Sequence, residues 1–169
     1  NARVLRETYR VLADDVHRGE FVPPAAEWLL DNFHLIEVEI RDTRHDLPRQ
    51  YYLDLPKLAP REMAGIARVY AMALEVIRHT DGRLDRQQLV RFMAAYQTVA
   101  PLTIGELWAW PSVLKLALIE NLRRLADETL LGRDRRLRAD AYLARIGSEE
   151  AAPLASLPEV LETPYVVRL

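Results

Sequence analysis

The chain has 169 residues, 50% of them hydrophobic and 28% charged, with a formal net charge of −2 and no cysteine. These figures describe one ordinary globular domain. They give no field that would gather nucleic acid, and they exclude disulfides, thiolate metal sites and cysteine nucleophiles.

Helical periodicity runs nearly throughout, and no stretch alternates as a strand would. The first helix is expected over about residues 2–18, with Val4, Leu5, Leu12 and Val16 apolar and Gly19 as its stop. A second, opened by Pro23-Pro24, is expected to run unbroken to Asp46, with Leu29, Phe33, Ile36 and Ile40 as one stripe. A short helix through Tyr51, Tyr52 and Leu55 precedes the breaks at Pro56 and Pro60. The next is expected over about residues 61–80, ended by Asp81-Gly82. Asp85 with Gln88 resembles a capping box for a helix to Val99, and Thr103 with Glu106 is a cleaner one for a short helix to Trp110. Pro111 then reads as the start of a separate long helix, residues 112–129, apolar on nearly all sides from Val113 to Leu125 and therefore central.

From Gly132 a basic stretch begins, with Arg133, Arg135, Arg136, Arg138 and Arg145, up to Gly147. A third capping box is read at Ser156 and Glu159. Thr163-Pro164 resembles the opening of a further helix that stops after one turn, and Asn1 follows no charged-then-apolar leader. Both ends read as boundaries inside a longer protein. The expected architecture is all-α, a single irregular bundle of about six to eight helices around the 112–129 helix. Residues 1–131 are its core; residues 132–169, the arginine-rich helix and a truncated C-terminal segment, belong to the same domain.

Chemistry is sparse. The six glycines form no P-loop, G-x-G-x-x-G or nucleophile elbow. Asp31 with His34 and Asp42 with His45 share Asp-x-x-His spacing, but on one unbroken helix the pairs stand about 16 Å apart, too far for one metal. No metal site, no catalytic residue and no D-x-D pair is therefore assigned. Asn32 beside Trp28, and Asn121 after Glu120, read either as a ligand-recognising polar cluster or as buried amides that fix helix register, the second being favoured. Trp28, Tyr51, Tyr52, Trp108 and Trp110 read either as core or as a platform on which pyranose rings stack. Arg133, Arg135, Arg136 and Arg138 read either as a solvated mixed-charge face or as a contact for acidic lipid or a partner.

Four segments in order carry a resemblance: AEWLLDNFHLIE at 26–37, DLPRQYYLDLP at 46–56, VAPLTIGELW at 99–108 and LIENLRR at 118–124. Together, best over residues 21–126, they resemble the N-terminal region of the cyclic β-1,2-glucan synthases. The resemblance implies a large bacterial inner-membrane parent that transfers glucosyl units from UDP-glucose, with a divalent cation, to a growing β-1,2-glucan and then cyclises it. It implies for this chain a position on the cytoplasmic side ahead of the first membrane helix. No catalytic residue of the family falls on these positions, and no cofactor is expected here. The expected role is a non-catalytic accessory or scaffold domain whose partner is the remainder of the synthase. The alternatives are a β-1,2-glucan-binding module and a membrane-surface or oligomerisation element. Membrane contact is expected only through the parent protein, and nucleic acid is not an expected partner.

Overall fold

The computed structural model describes residues 1–59 and 63–146. Among them seven helices make an all-α fold: α1 (Ala2–His17), α2 (Pro24–Asp31), α3 (Phe33–Asp46), α4 (Arg49–Asp54), α5 (Arg68–Thr80), α6 (Arg86–Val99) and α7 (Ile104–Ile146). The capping box at 156–159, Gly147 and the helix opening at Thr163 lie outside the described residues.

On α1 the buried face is Leu5, Thr8, Leu12 and Asp15, spaced by three or four so that they share one side. Val16, one of the apolar positions of this helix, is 52% exposed. Gly19 takes a positive φ of 71°, the left-handed turn that ends helices and favours glycine.

The single helix expected over residues 24–46 is two. Asn32 leaves helical geometry (φ −103°, ψ 8°) between α2 and α3. Its side-chain amide donates to the Trp28 carbonyl at 2.8 Å, an asparagine competing locally with the backbone ladder. Asp31 and His34 consequently lie on different helices, which overturns the one-helix geometry drawn for the two Asp-x-x-His pairs. The stripe of Leu29, Phe33, Ile36 and Ile40 is buried all the same, and Tyr9 of α1 stacks on Phe33 at 4.3 Å.

The helix expected from about residue 61 begins only at Arg68. Lys57 forms an isolated antiparallel bridge with Ala67, and the Leu58 carbonyl accepts from the Gly65 amide. Gly65, at φ 82°, makes the turn that this pairing needs. Asp81 (φ 51°) and Gly82 (φ 75°) end α5 as expected. Asp85 caps α6 by accepting from the Gln88 amide at 2.8 Å.

The largest departure is α7. In place of three helices separated at Pro111 and Gly132, one helix of 43 residues runs through both, about 64 Å long. Pro111 deprives the helix of one hydrogen bond, but α7 packs against α1, α2, α3 and α5, and that burial outweighs a local penalty. Pro111 itself is exposed. Pro111→Ala should therefore stabilise the fold by roughly 2 kcal/mol, the interior proline penalty of about 3 less up to about 1 for the freer unfolded chain. A thermal midpoint that rises by about 4–8 °C would show it, and a fall would show that the proline ring itself supports the fold.

Two cores lie along α7. The first joins Leu5, Leu12, Leu29, Phe33, Ile36 and Ile40 to Ile119 and Ala126. The second joins Leu47, Leu55, Val69, Ala73 and Ile77 to Ala109, Val113, Leu114 and Ala117. The apolar positions of residues 113–125 thus divide between two cores and the surface, where Leu125 is 47% exposed.

Candidate functional site

A groove runs beside α7. One lobe, about 450 Å³, is walled by Leu12 of α1, Trp28 and Leu29 of α2, and Leu118, Leu122 and Leu125 of α7. Asp81 and Gly82, the turn after α5, close one side. Gly82 is there for its backbone, since its φ of 75° is one that residues with a side chain rarely adopt, whereas a Cβ would meet Asn121 and Leu118 only at ordinary contact distances of 3.7 and 3.9 Å. A second lobe, about 380 Å³, lies between Leu35 and Ile36 of α3 and the Lys115–Leu122 stretch of α7. The lobes share Trp28, Leu118 and Leu122, and the Trp28 side chain, 54% exposed, belongs to both. Thr8 lies on the floor, fully buried, and its Oγ1 has no hydrogen-bond partner.

Of the aromatics singled out in the sequence, Trp28 alone borders this groove. Tyr51 donates its hydroxyl to the Gly105 carbonyl at 2.6 Å. Tyr52 meets Tyr70 edge-on at 6.2 Å under the Lys57 ammonium, 4.4 Å from its ring. Trp110 stacks on Phe92 at 6.4 Å. Trp108 is 79% exposed. Gly105 and Leu118 are thirteen residues apart on α7, about 20 Å, so Tyr51 and Trp28 do not share one platform.

Asn121 borders the groove and its Oδ1 accepts from Arg124 at 3.1 Å, whereas Asn32 serves the α2–α3 break described above. Glu120 is held by Arg123 at 2.7 Å, and hydrogen bonding to Arg123, opposed by burial, keeps its carboxyl below the ordinary range. Burial, with Glu120 and Tyr52 nearby, pushes the Tyr70 hydroxyl up to about 12. Arg133 forks onto the buried Asp15, Arg136 lies over the Phe21 ring at 5.2 Å, and Arg138 pairs with Asp134 at 2.6 Å. Arg135 is also engaged.

No family model matches the chain. Over 140 residues, 83% of its length, it is 40% identical to the cyclic β-(1,2)-glucan synthase NdvB of Rhizobium meliloti (strain 1021). The chain is similar to a region of that synthase. The resemblance carried by the four motif segments therefore holds across most of the sequence. The match spans 5% of the length of the relative.

Within this synthase-like region three of the less exposed carboxylates are committed to arginine. Glu106, fully buried, accepts from Arg68 Nε at 2.8 Å and Nη2 at 2.6 Å and from Thr103 N at 2.8 Å. Asp15 and Glu120 are paired with Arg133 and Arg123. Among the described residues no three His, Asp or Glu side chains converge to hold a metal ion, and no helix is long and apolar enough to cross a membrane. The Arg68–Glu106 pair went unrecognised in the sequence, where Glu106 is visible only as half of a capping box. The groove was missed too, because Leu118, Leu122 and Leu125 read as core by their spacing.

Proposed function

We propose that this chain is a non-catalytic accessory domain near the N-terminus of a cyclic β-1,2-glucan synthase and that it docks on the rest of that polypeptide. In this reading the parent transfers glucosyl units from UDP-glucose to a growing β-1,2-glucan and closes the ring, at the inner membrane. The accessory domain, on the cytoplasmic side, supplies a folded surface for the catalytic parts to pack on. The observation that carries the proposal is the groove along α7. A half-exposed tryptophan and half-exposed leucines lie in one open, apolar cleft, and contiguous apolar surface of this kind marks interaction sites. The similarity to the synthase supports the choice of partner. The pairing of Asp15, Glu106 and Glu120 with arginines supports a structural role for the charged groups over acid–base work.

The test is a full-length synthase with a specific protease site introduced after Leu169. After complete cleavage the segment should stay with the remainder through size-exclusion chromatography, and turnover of UDP-glucose should reside in the remainder. A segment that elutes alone immediately after cutting would sink the docking role, and one that turns over UDP-glucose by itself would sink the non-catalytic one.

A further inference from the structure

The groove allows a more specific assignment, which rests on the docking reading above. The geometry points to an amphipathic helix from elsewhere in the same synthase polypeptide as the occupant of the two-lobed groove, with bulky apolar residues at i, i+4 and i+7 and a lysine or arginine beside Asp81.

The shape argues for a helix. From Lys115 to Thr129 the groove follows α7 for about 21 Å, enough for roughly four turns. Leu118, Leu122 and Leu125 stand at i, i+4 and i+7, so they present one row to a partner lying alongside. Trp28, rising from α2 between the lobes, is the type of residue that anchors such contacts. The backbone argues the same way. The groove is built from helices, whose N–H and C=O groups are already engaged, so an extended peptide would find almost no backbone partners. A helix brings its own hydrogen bonds. A glucan would present hydroxyl groups at every residue against walls of leucine, alanine and tryptophan, met in one lobe by Asp81, Asn121, Thr129 and the sunken Thr8 hydroxyl and in the other by the paired Glu39 and Lys115.

The charges argue for a basic end. Glu39 in the second lobe is already paired with Lys115 at 2.8 Å, which leaves Asp81 as the lining carboxylate that a cation could approach. The length of the relative argues for the source. The matched region is 5% of the synthase, so an occupant within the other 95% is tethered to the groove. Tethering makes its binding intramolecular, so that a modest groove suffices where the intervening chain lets the segment reach it.

The experiment uses the full-length synthase with the cleavage site described above. A photo-crosslinking residue, p-benzoylphenylalanine, is placed at Leu35, which is 53% exposed in the second lobe. The crosslinked peptide should map to a segment of the same polypeptide with apolar residues spaced three and four apart. A crosslink to a second copy, to another protein or to glucan would overturn the assignment. In parallel, Leu35→Asp and Leu125→Asp should speed release of the cut segment at least tenfold. Val90→Asp and Val99→Asp, more exposed apolar sites on α6, should not. Circular dichroism of each purified variant should match the parent. Groove variants that stay bound as long as the unsubstituted segment would overturn the groove and leave docking intact. If the unsubstituted segment is itself released on cutting, docking fails and the groove assignment with it. Displacement of the unsubstituted segment by linear β-1,2-glucan would make the groove a sugar site and overturn the helix.

Discussion

Arg68→Ala is expected to lower the thermal midpoint by roughly 10–15 °C, the largest effect of any single substitution away from the apolar cores. The reason lies in what it leaves behind. Glu106 has no exposed surface, and Arg68 supplies two of its hydrogen bonds and its counter-charge. Removing one partner of a buried pair leaves an uncompensated charge, at a cost of about 3–5 kcal/mol. For a chain of this size each kcal/mol is worth about 2–4 °C. Arg68 also donates to the Pro101 carbonyl at 3.1 Å and lies 5.9 Å from the Tyr96 ring, so the substitution loosens the α6–α7 connection as well. The double variant Arg68→Met with Glu106→Leu separates the two contributions. It removes both charges together and should recover most of the loss, because a well-packed apolar pair is often as stable as a buried ion pair.

The same pair sets an acid limit. Burial alone would raise the Glu106 carboxyl, but the hydrogen bonds from Arg68 and Thr103, with the Arg68 charge, outweigh it and hold the group below its ordinary 4.5. A carboxylate depressed in the folded state contributes stability that is complete above its unfolded value and is lost as pH falls through the folded one. Unfolding followed by urea should therefore weaken from about pH 4.5 downward, and Arg68→Ala should flatten that slope.

Features decided within four residues of one another were legible in the sequence. Thr103 and Glu106 form the reciprocal box that their spacing announces, with Glu106 N donating to Thr103 Oγ1 at 3.2 Å and Thr103 N donating back to the carboxylate. Gly19 and Asp81-Gly82 end their helices because few residues accept a positive φ. What eluded the sequence was decided at a distance. Pro111 and Gly132 are breakers by local preference, but α7 passes through both because four other helices are packed along it. Asn32 erred in the opposite direction, since an asparagine that bonds the carbonyl four residues back is compatible with either outcome until the neighbouring helices fix the chain's path. The groove shows a third kind of loss. Apolar residues spaced three and four apart mark a face that must be covered, but the spacing is identical whether the cover is the domain's own core or a separate segment. Val113 and Ala117 are covered by α5, whereas the half-buried Leu118 and Leu122 and the exposed Leu125 line the groove, and only the placement of α2 and α5 makes that distinction.

Arg133 brings these points together in the second large expectation. By sequence it is one arginine in a solvated basic run, available to acidic lipid or a partner. In the fold it reaches across 118 positions to Asp15, whose side chain is 3% exposed, and grips both carboxylate oxygens. The hydrogen bonds from Arg133, opposed by burial and aided by its charge and those of Arg18 and Arg136, hold Asp15 below its ordinary 3.8. Arg133→Ala leaves that carboxylate buried and unpaired and should cost about 3 kcal/mol. Because the pair ties the far half of α7 to α1, the loss should be local. Hydrogen exchange of amides beyond residue 133 should accelerate by tenfold or more, while amides near Val113, in the second core, keep their protection. Arg133→Lys tests the geometry, since an ammonium restores the charge but cannot fork onto both oxygens, and it should recover less than half of the protection. Equal acceleration along all of α7 would show that the helix opens as one unit, in spite of the hydrogen bond that Pro111 removes.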